Sequence, residues 1–258
     1  MPEGDTIHHA AMRIRAVLGG RVPERIETPQ PRHAPGRWPQ RLQGRRLHSV
    51  DAHGKHLFLR FEGGLTVHSH LRMTGSWGVY ENGRRWRRAP RRAWLVLARE
   101  GVEVVQFDGP VLELASEERL RHDPRLRSLG PDVLGEDFDE AAVLARLRKD
   151  DPTRPFGDAL LDQRIVAGIG NIWKAESCFA AGVDPWRQTA GVSEEEALAV
   201  LAFARREMAV SAREGFIARP RAVYRRAGEP CARCAGRVRA RGQGDQNRTT
   251  YWCPDCQR

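Results

Sequence analysis

Two Cys-x2-Cys pairs, Cys231/Cys234 and Cys253/Cys256, stand eighteen residues apart at the end of this 258-residue chain. Two knuckles at this spacing suit tetrahedral coordination of one zinc ion by four thiolates. A complete set of protein ligands leaves no position open for water, so the metal is expected to be structural and not catalytic. Cysteines used in such pairs fit a reducing compartment better than a disulfide framework. The fifth, Cys178, falls in an apolar helical stretch over residues 172–181 and reads as a buried thiol.

The segment around this quartet is strongly basic. Residues 211–258 hold eleven arginines against four acids, and residues 81–99 hold seven arginines against one glutamate, within a formal charge of +10 for the chain. Such local excess favours a polyanionic partner, and beside a metal ribbon it points to nucleic acid. Lysine is scarce: Lys55, Lys149 and Lys174 are the only three. That scarcity makes any lysine in a special place worth attention. No apolar run reaches the ~18 residues that a membrane span needs. No basic stretch followed by an apolar core marks a signal peptide, so a cytoplasmic, nucleoid-associated protein is expected.

Periodicity divides the rest. Asp5 or Thr6 can cap a helix to about Leu18, with Ile7, Ala11, Ile14 and Leu18 on one face. Short strands with turn signals follow, over residues 56–61, 65–67, 94–97 and 102–107, the pattern of a β-sandwich. After a charged connector over residues 116–136, helices are expected over 140–148, 156–166 and 171–181, with a fourth capped by Ser193. Ala167-Gly168-Ile169-Gly170-Asn171 forms a tight turn between the second and third.

The beginning of the sequence carries chemistry of its own. Pro2 is a small penultimate residue, so removal of Met1 is expected, which exposes a secondary amine. An α-amine has a pKa near ~8, and the N-terminal end of a helix disfavours its protonation. A secondary amine that attacks an aldehyde carbon gives an iminium with no N–H to lose, an electron sink for elimination. Glu3 beside it can move the protons.

Pro2-Glu3-Gly4, Gly54-Lys55-His56, Leu129-Gly130-Pro131-Asp132, Leu160-Leu161-Asp162-Gln163, Gly168-Ile169-Gly170-Asn171-Ile172 and the cysteine quartet follow one another in one order. This resembles the formamidopyrimidine-DNA glycosylase/endonuclease VIII family from the first residue to the last. The resemblance implies an α+β multidomain fold: an N-terminal β-sandwich flanked by helices (residues 1–118), a helix–two-turn–helix domain (119–215) and a zinc ribbon (216–258). It implies a monomeric DNA glycosylase and abasic-site lyase that binds damaged DNA through phosphates, without sequence choice, and carries one structural Zn2+.

Residue by residue, Pro2 looks like the Schiff-base nucleophile and Glu3 like the proton donor. Lys55 matches the lysine credited with β-elimination and phosphate contact, and Asn171 the asparagine that holds phosphate near the lesion. Arg248 matches the ribbon arginine of δ-elimination. Leu71-Arg72-Met73-Thr74-Gly75 matches the loop that fills the hole left by a flipped base, with Met73 as wedge and Leu71 and Arg72 assisting.

Two departures bear on the lesion. Where the 8-oxoguanine-preferring branch has Arg-Arg-Phe-Gly, this chain reads Asp108-Gly109-Pro110-Val111-Leu112, and the segment from Met208 to Cys231 is short. Both imply the endonuclease VIII-like branch and oxidised pyrimidines. The rival expectations are an 8-oxoguanine or formamidopyrimidine preference on the same fold, and a damaged-DNA-binding protein without chemistry.

Overall fold

Alternation along the strand His56–Phe61 sends Leu57, Leu59 and Phe61 to one face, where all three are fully buried. The same period recurs through the first half of the chain and builds a sandwich. The computed structural model describes residues 2–81 and 83–258. These form two units. One comprises Thr6–Arg127 with Pro2, the other Ser128–Arg258 with Glu3–Asp5.

The first unit contains strands β1 (Arg25–Glu27), β2 (Leu47–His53), β3 (His56–Phe61), β4 (Leu65–His70), β5 (Ser76–Glu81), β6 (Ala93–Arg99), β7 (Val102–Phe107) and β8 (Val111–Ser116). They pair antiparallel into two four-stranded sheets, ordered β1-β6-β7-β5 and β2-β3-β4-β8. Helix α1 (Gly4–Leu18) adds Ile7, Ala11, Ile14 and Leu18 to the core shared by both sheets, and the short α2 (Trp38–Leu42) adds Trp38 and Leu42. The short helices α3 (Glu117–Arg121) and α4 (Pro124–Arg127) follow β8, and Leu120 and Leu126 pack with Phe58 and Ala115.

The second unit is helical: α5 (Glu140–Lys149), α6 (Phe156–Ala159), α7 (Asn171–Ala181) and α8 (Glu194–Glu214), followed by the hairpin of β9 (Arg239–Gln243) and β10 (Arg248–Trp252). Asp139 caps α5, and Ser193 with Glu196 forms a reciprocal capping box on α8. Gly182, at φ 75°, ends α7. Among the described residues no helix is long and apolar enough to cross a membrane.

Two expectations are corrected. The helix expected over residues 156–166 stops at Ala159. Asp162 Oδ1 accepts from Arg164 N, while Gln163 donates to Leu161 O and Ile169 O and accepts from Gly168 N. These side chains serve loop backbone that a helix would have left bonded to itself. Helix α1 begins at Gly4, without an Asp5 cap, because the Asp5 carboxylate is drawn away to Arg219 and Ser211.

Candidate active site and metal centre

Glu3 is fully buried, and its carboxylate sits on the first turn of α7. Oε1 accepts from Ile172 N at 2.9 Å and Oε2 from Trp173 N at 3.3 Å. The first N–H groups of a helix have no partner within it, so this end is a ready cradle for an anion. Glycine makes the approach possible. A Cβ on Gly170 would lie 2.2 Å from Glu3 Cδ, and one on Gly4 would lie 2.8 Å from Gly168 Cα. Gly168 has φ 104°, which an L side chain rarely adopts, and its carbonyl accepts from Gly4 N at 2.9 Å. The Pro-Glu-Gly and Gly-Ile-Gly-Asn motifs therefore meet at Glu3–Gly4.

Asp5 fixes this segment from below. Arg219 donates to it through Nε and Nη2, both at 2.7 Å, and Ser211 Oγ donates at 2.6 Å. Asp5 is fully buried and the Arg219 side chain is 10% exposed, so the pair is a desolvated, two-pronged clamp. Pro2, next in the chain before Glu3, is half-buried.

The same first turn of α7 grips the hairpin. Asn171 Nδ2 donates to Thr249 O at 2.7 Å, one residue beyond Arg248, while Asn171 Oδ1 is buried without a partner. Lys174 Nζ reaches Thr250 Oγ1 at 2.5 Å and Gln243 Oε1 at 3.2 Å. Burial pushes the Lys174 ammonium down to about 8, and Glu3, Asp158 and Arg248 stand close enough to act on it electrostatically. Arg248 is half-buried and donates through Nε and Nη2 to Gln246. Glu3 and Asn171 thus share the first turn of α7, and Asn171 ties that turn to the strand that carries Arg248.

Cys231, Cys234, Cys253 and Cys256 bring their Sγ atoms within 4.8 Å of one another. Tetrahedral zinc with ~2.3 Å bonds to sulfur places sulfurs about 3.8 Å apart, so four thiolates at this spacing fit such an ion. Arg233 N and Gly236 N each donate to a cysteine sulfur at 3.3 Å, as suits a thiolate. Glu176 ties down the approach to this module: its carboxylate, almost fully buried, accepts from Ala222, Val223 and Tyr224 N.

Lys55 and the loop Leu71-Arg72-Met73-Thr74-Gly75 lie in the first unit. Lys55 occupies the β2–β3 turn beside Gly54, at φ 55°. A polar chain runs over the same sheet: His56 Nδ1 to His68 Nε2, and His68 Nδ1 to Glu113 Oε1, each 2.9 Å. Burial first, then the neighbouring positive charges, pushes His56 to about 2 and His70 to about 4, with Lys55 the largest charge acting on His70. In the loop, Met73 is 58% exposed, whereas Leu71 is 2% exposed and belongs to the sandwich core. Arg72 is exposed and adopts φ 45°. Leu71 therefore roots the loop and Met73 forms its tip.

The residues that the sequence did not single out are Glu176, Gln243 and Thr250, and Asp5 stood out only as a helix cap. Lys174 carried one signal, as a rare lysine in an otherwise apolar stretch.

Comparisons with known proteins agree with this architecture. The N-terminal domain of formamidopyrimidine-DNA glycosylase matches residues 1–125, and the H2TH domain of the same family matches residues 129–217. A probable endonuclease 8 2 from Streptomyces coelicolor is 43% identical over all of this chain and 94% of its own. A DNA-(apurinic or apyrimidinic site) lyase, Nei2, from Mycolicibacterium smegmatis is 38% identical over all of this chain and 99% of its own. Among solved structures, Lactococcus lactis Fpg (MutM) bound to DNA containing N7-benzyl-Fapy-dG superposes with a TM-score of 0.83, at 23% identity and complete coverage of both chains. With both family models matched over residues 1–125 and 129–217 and a relative 43% identical over the whole chain, this chain belongs to the formamidopyrimidine-DNA glycosylase family.

Proposed function

We propose that this chain is a bifunctional DNA glycosylase and abasic-site lyase of base excision repair. The observation that carries the reading is the seat of Glu3, directly after Pro2, on the first turn of α7. The names of the relatives from Streptomyces and Mycolicibacterium support the same activity.

In this reading Pro2, once Met1 is removed, attacks C1′ of the damaged nucleotide. The bond to the base breaks, and Glu3 protonates the ring oxygen as the sugar opens. The resulting iminium acidifies C2′, a proton leaves from that carbon, and the 3′ phosphate departs by β-elimination. A second elimination releases the 5′ phosphate and leaves a one-nucleotide gap. Lys55 and Arg248 assist the eliminations, Asn171 holds backbone phosphate, and Met73 fills the vacated stack while Arg72 assists and Leu71 anchors the loop. The arginine-rich segments supply phosphate contacts without sequence choice. Cys231, Cys234, Cys253 and Cys256 hold one structural Zn2+, which would rigidify the ribbon that carries Arg248.

The departures at Asp108–Leu112 and the short segment before Cys231 favour oxidised pyrimidines. We assign the sandwich to residues 1–118, the helical domain to 119–215 and the ribbon to 216–258, in a cytoplasmic, nucleoid-associated monomer. Borohydride trapping on a duplex with one abasic site or one thymine glycol tests the reading. A covalent adduct mapped to Pro2 supports it; tight DNA binding without an adduct, from zinc-loaded protein lacking Met1, replaces it with a binding protein that has lost chemistry.

A further inference from the structure

We infer that Lys174 is a positioning residue, whose buried side chain holds Arg248 of the ribbon in register with Glu3. The inference rests on the reading above, in which Glu3 and Arg248 serve the strand-cutting reaction.

The path is short and continuous. Glu3 is held by Ile172 N and Trp173 N, the two residues before Lys174. From Lys174 the ammonium reaches Thr250 Oγ1 and Gln243 Oε1, and Thr250 itself donates to Gln243 at 2.8 Å. Gln243 is the cross-strand partner of Arg248, and Thr250 lies two residues beyond Arg248 on the same strand. The lysine therefore grips the hairpin on both strands, at the end where Arg248 stands. Gln243 is in turn fixed by donating to Pro185 O at 2.7 Å.

The choice of residue is what makes this more than packing. Lys174 is fully buried, and its ammonium donates to two neutral oxygens, Gln243 Oε1 and Thr250 Oγ1. Burial of an ammonium against neutral groups is unfavourable, and a methionine of similar length would fill the space without that penalty. Stability alone does not call for a cation here. The charged and titratable groups that face it are Glu3, Asp158 of α6, Cys178 of α7 and Arg248 of β10. Burial pushes the Cys178 thiol up to about 12, so it stays neutral. Glu3 and Arg248 thus both act on the ammonium, so its charge as well as its reach bears on their relation.

The test uses the full-length, zinc-loaded protein on a duplex with one abasic site, with β- and δ-elimination products separated on a gel. Lys174→Met is expected to lower the share of δ-product about tenfold, since small misplacements of a positioned group cost that much or more. Wild type should lose δ-share above pH ~8 as a lysine lowered into that range gives up its proton, and Lys174→Met should lack that limb. Thr250→Val retains the ammonium but removes a partner, and should shift the product ratio in the same direction. It supplies the reading if Lys174→Met fails to fold. Wild-type product ratios from the folded variants at every pH would overturn the inference. Absence of a trapped adduct in wild type would instead sink the functional reading on which it stands.

Discussion

The carboxylate of Glu3 lies where a side chain on Gly170 would have to be. A Cβ there would come within 2.2 Å of Glu3 Cδ and 2.5 Å of Oε1. Gly170→Ala should therefore push Glu3 off the first turn of α7. We expect base excision to fall at least ~100-fold, as for other misplaced reacting groups. Zinc content and melting of the ribbon should change little. Single-turnover excision of thymine glycol checks this, and activity within threefold of wild type would show that Glu3 has another productive seat.

Glu3→Gln removes the proton but preserves most of the shape. Excision of an intact damaged base is expected to drop by two to four orders of magnitude, the usual range for a general acid. Cleavage of a preformed abasic site should suffer less, because the bond to the base is already broken. Equal loss on both substrates would move Glu3 from proton donor to purely structural anchor.

The Asp5–Arg219 clamp predicts a stability effect instead. Arg219→Ala leaves a fully buried carboxylate with only Ser211 as side-chain donor among the contacts described. Breaking one side of such a pair costs about 3–5 kcal/mol. Urea unfolding should show a lowered midpoint, and Asp5→Asn combined with Arg219→Met should recover part of the loss. A midpoint unchanged by Arg219→Ala would mean that water or another group readily takes its place.

The histidines of the first unit set a pH window. His56, His68 and His70 all have pKa values below the ordinary 6.5, so the unfolded chain binds protons that the folded one refuses. Their contribution to stability is complete above pH 6.5 and declines as pH falls, toward about 4 for His70 and about 2 for His56. Thermal midpoints measured from pH 7.5 to 4.5 should fall with acid, and His70→Gln should flatten the upper part of that decline. A flat wild-type profile would refute the assignment of neutral, buried rings.

Removal of the metal should act through the ribbon. Chelation, or Cys253→Ser, is expected to abolish phosphate-driven DNA binding and to melt β9–β10, since thiolate sites of this kind contribute folding energy outright. Elemental analysis should return one zinc per chain in the active protein. Full lyase activity in zinc-free protein would show that the hairpin stands without it.

The sandwich was legible because period-two alternation and turn glycines are local signals, as along residues 56–61. The cysteine cluster was legible because its spacing is itself the geometry. The end of α6 was not, because it depends on Asp162 and Gln163 preferring loop backbone, a competition that periodicity does not register. The burial of Leu71 in the sandwich core, beside an exposed Met73, was not legible either, because two apolar residues of one loop look alike until burial separates them. Lys174 and Asp5 drew little notice because their partners lie far along the chain, at Thr250 and Gln243 for one and Arg219 for the other. Long-range polar pairs leave no mark on composition or period.

The clamp on Asp5 also has a consequence in time. Its partners Ser211 and Arg219 follow it by 206 and 214 positions. On the ribosome, residues 3–5 must wait in water through most of synthesis, while the sandwich can already assemble. Burial of Glu3 and Asp5 is therefore among the last steps that complete the second unit. A chain released short of Arg219 would lack both guanidinium bonds to Asp5.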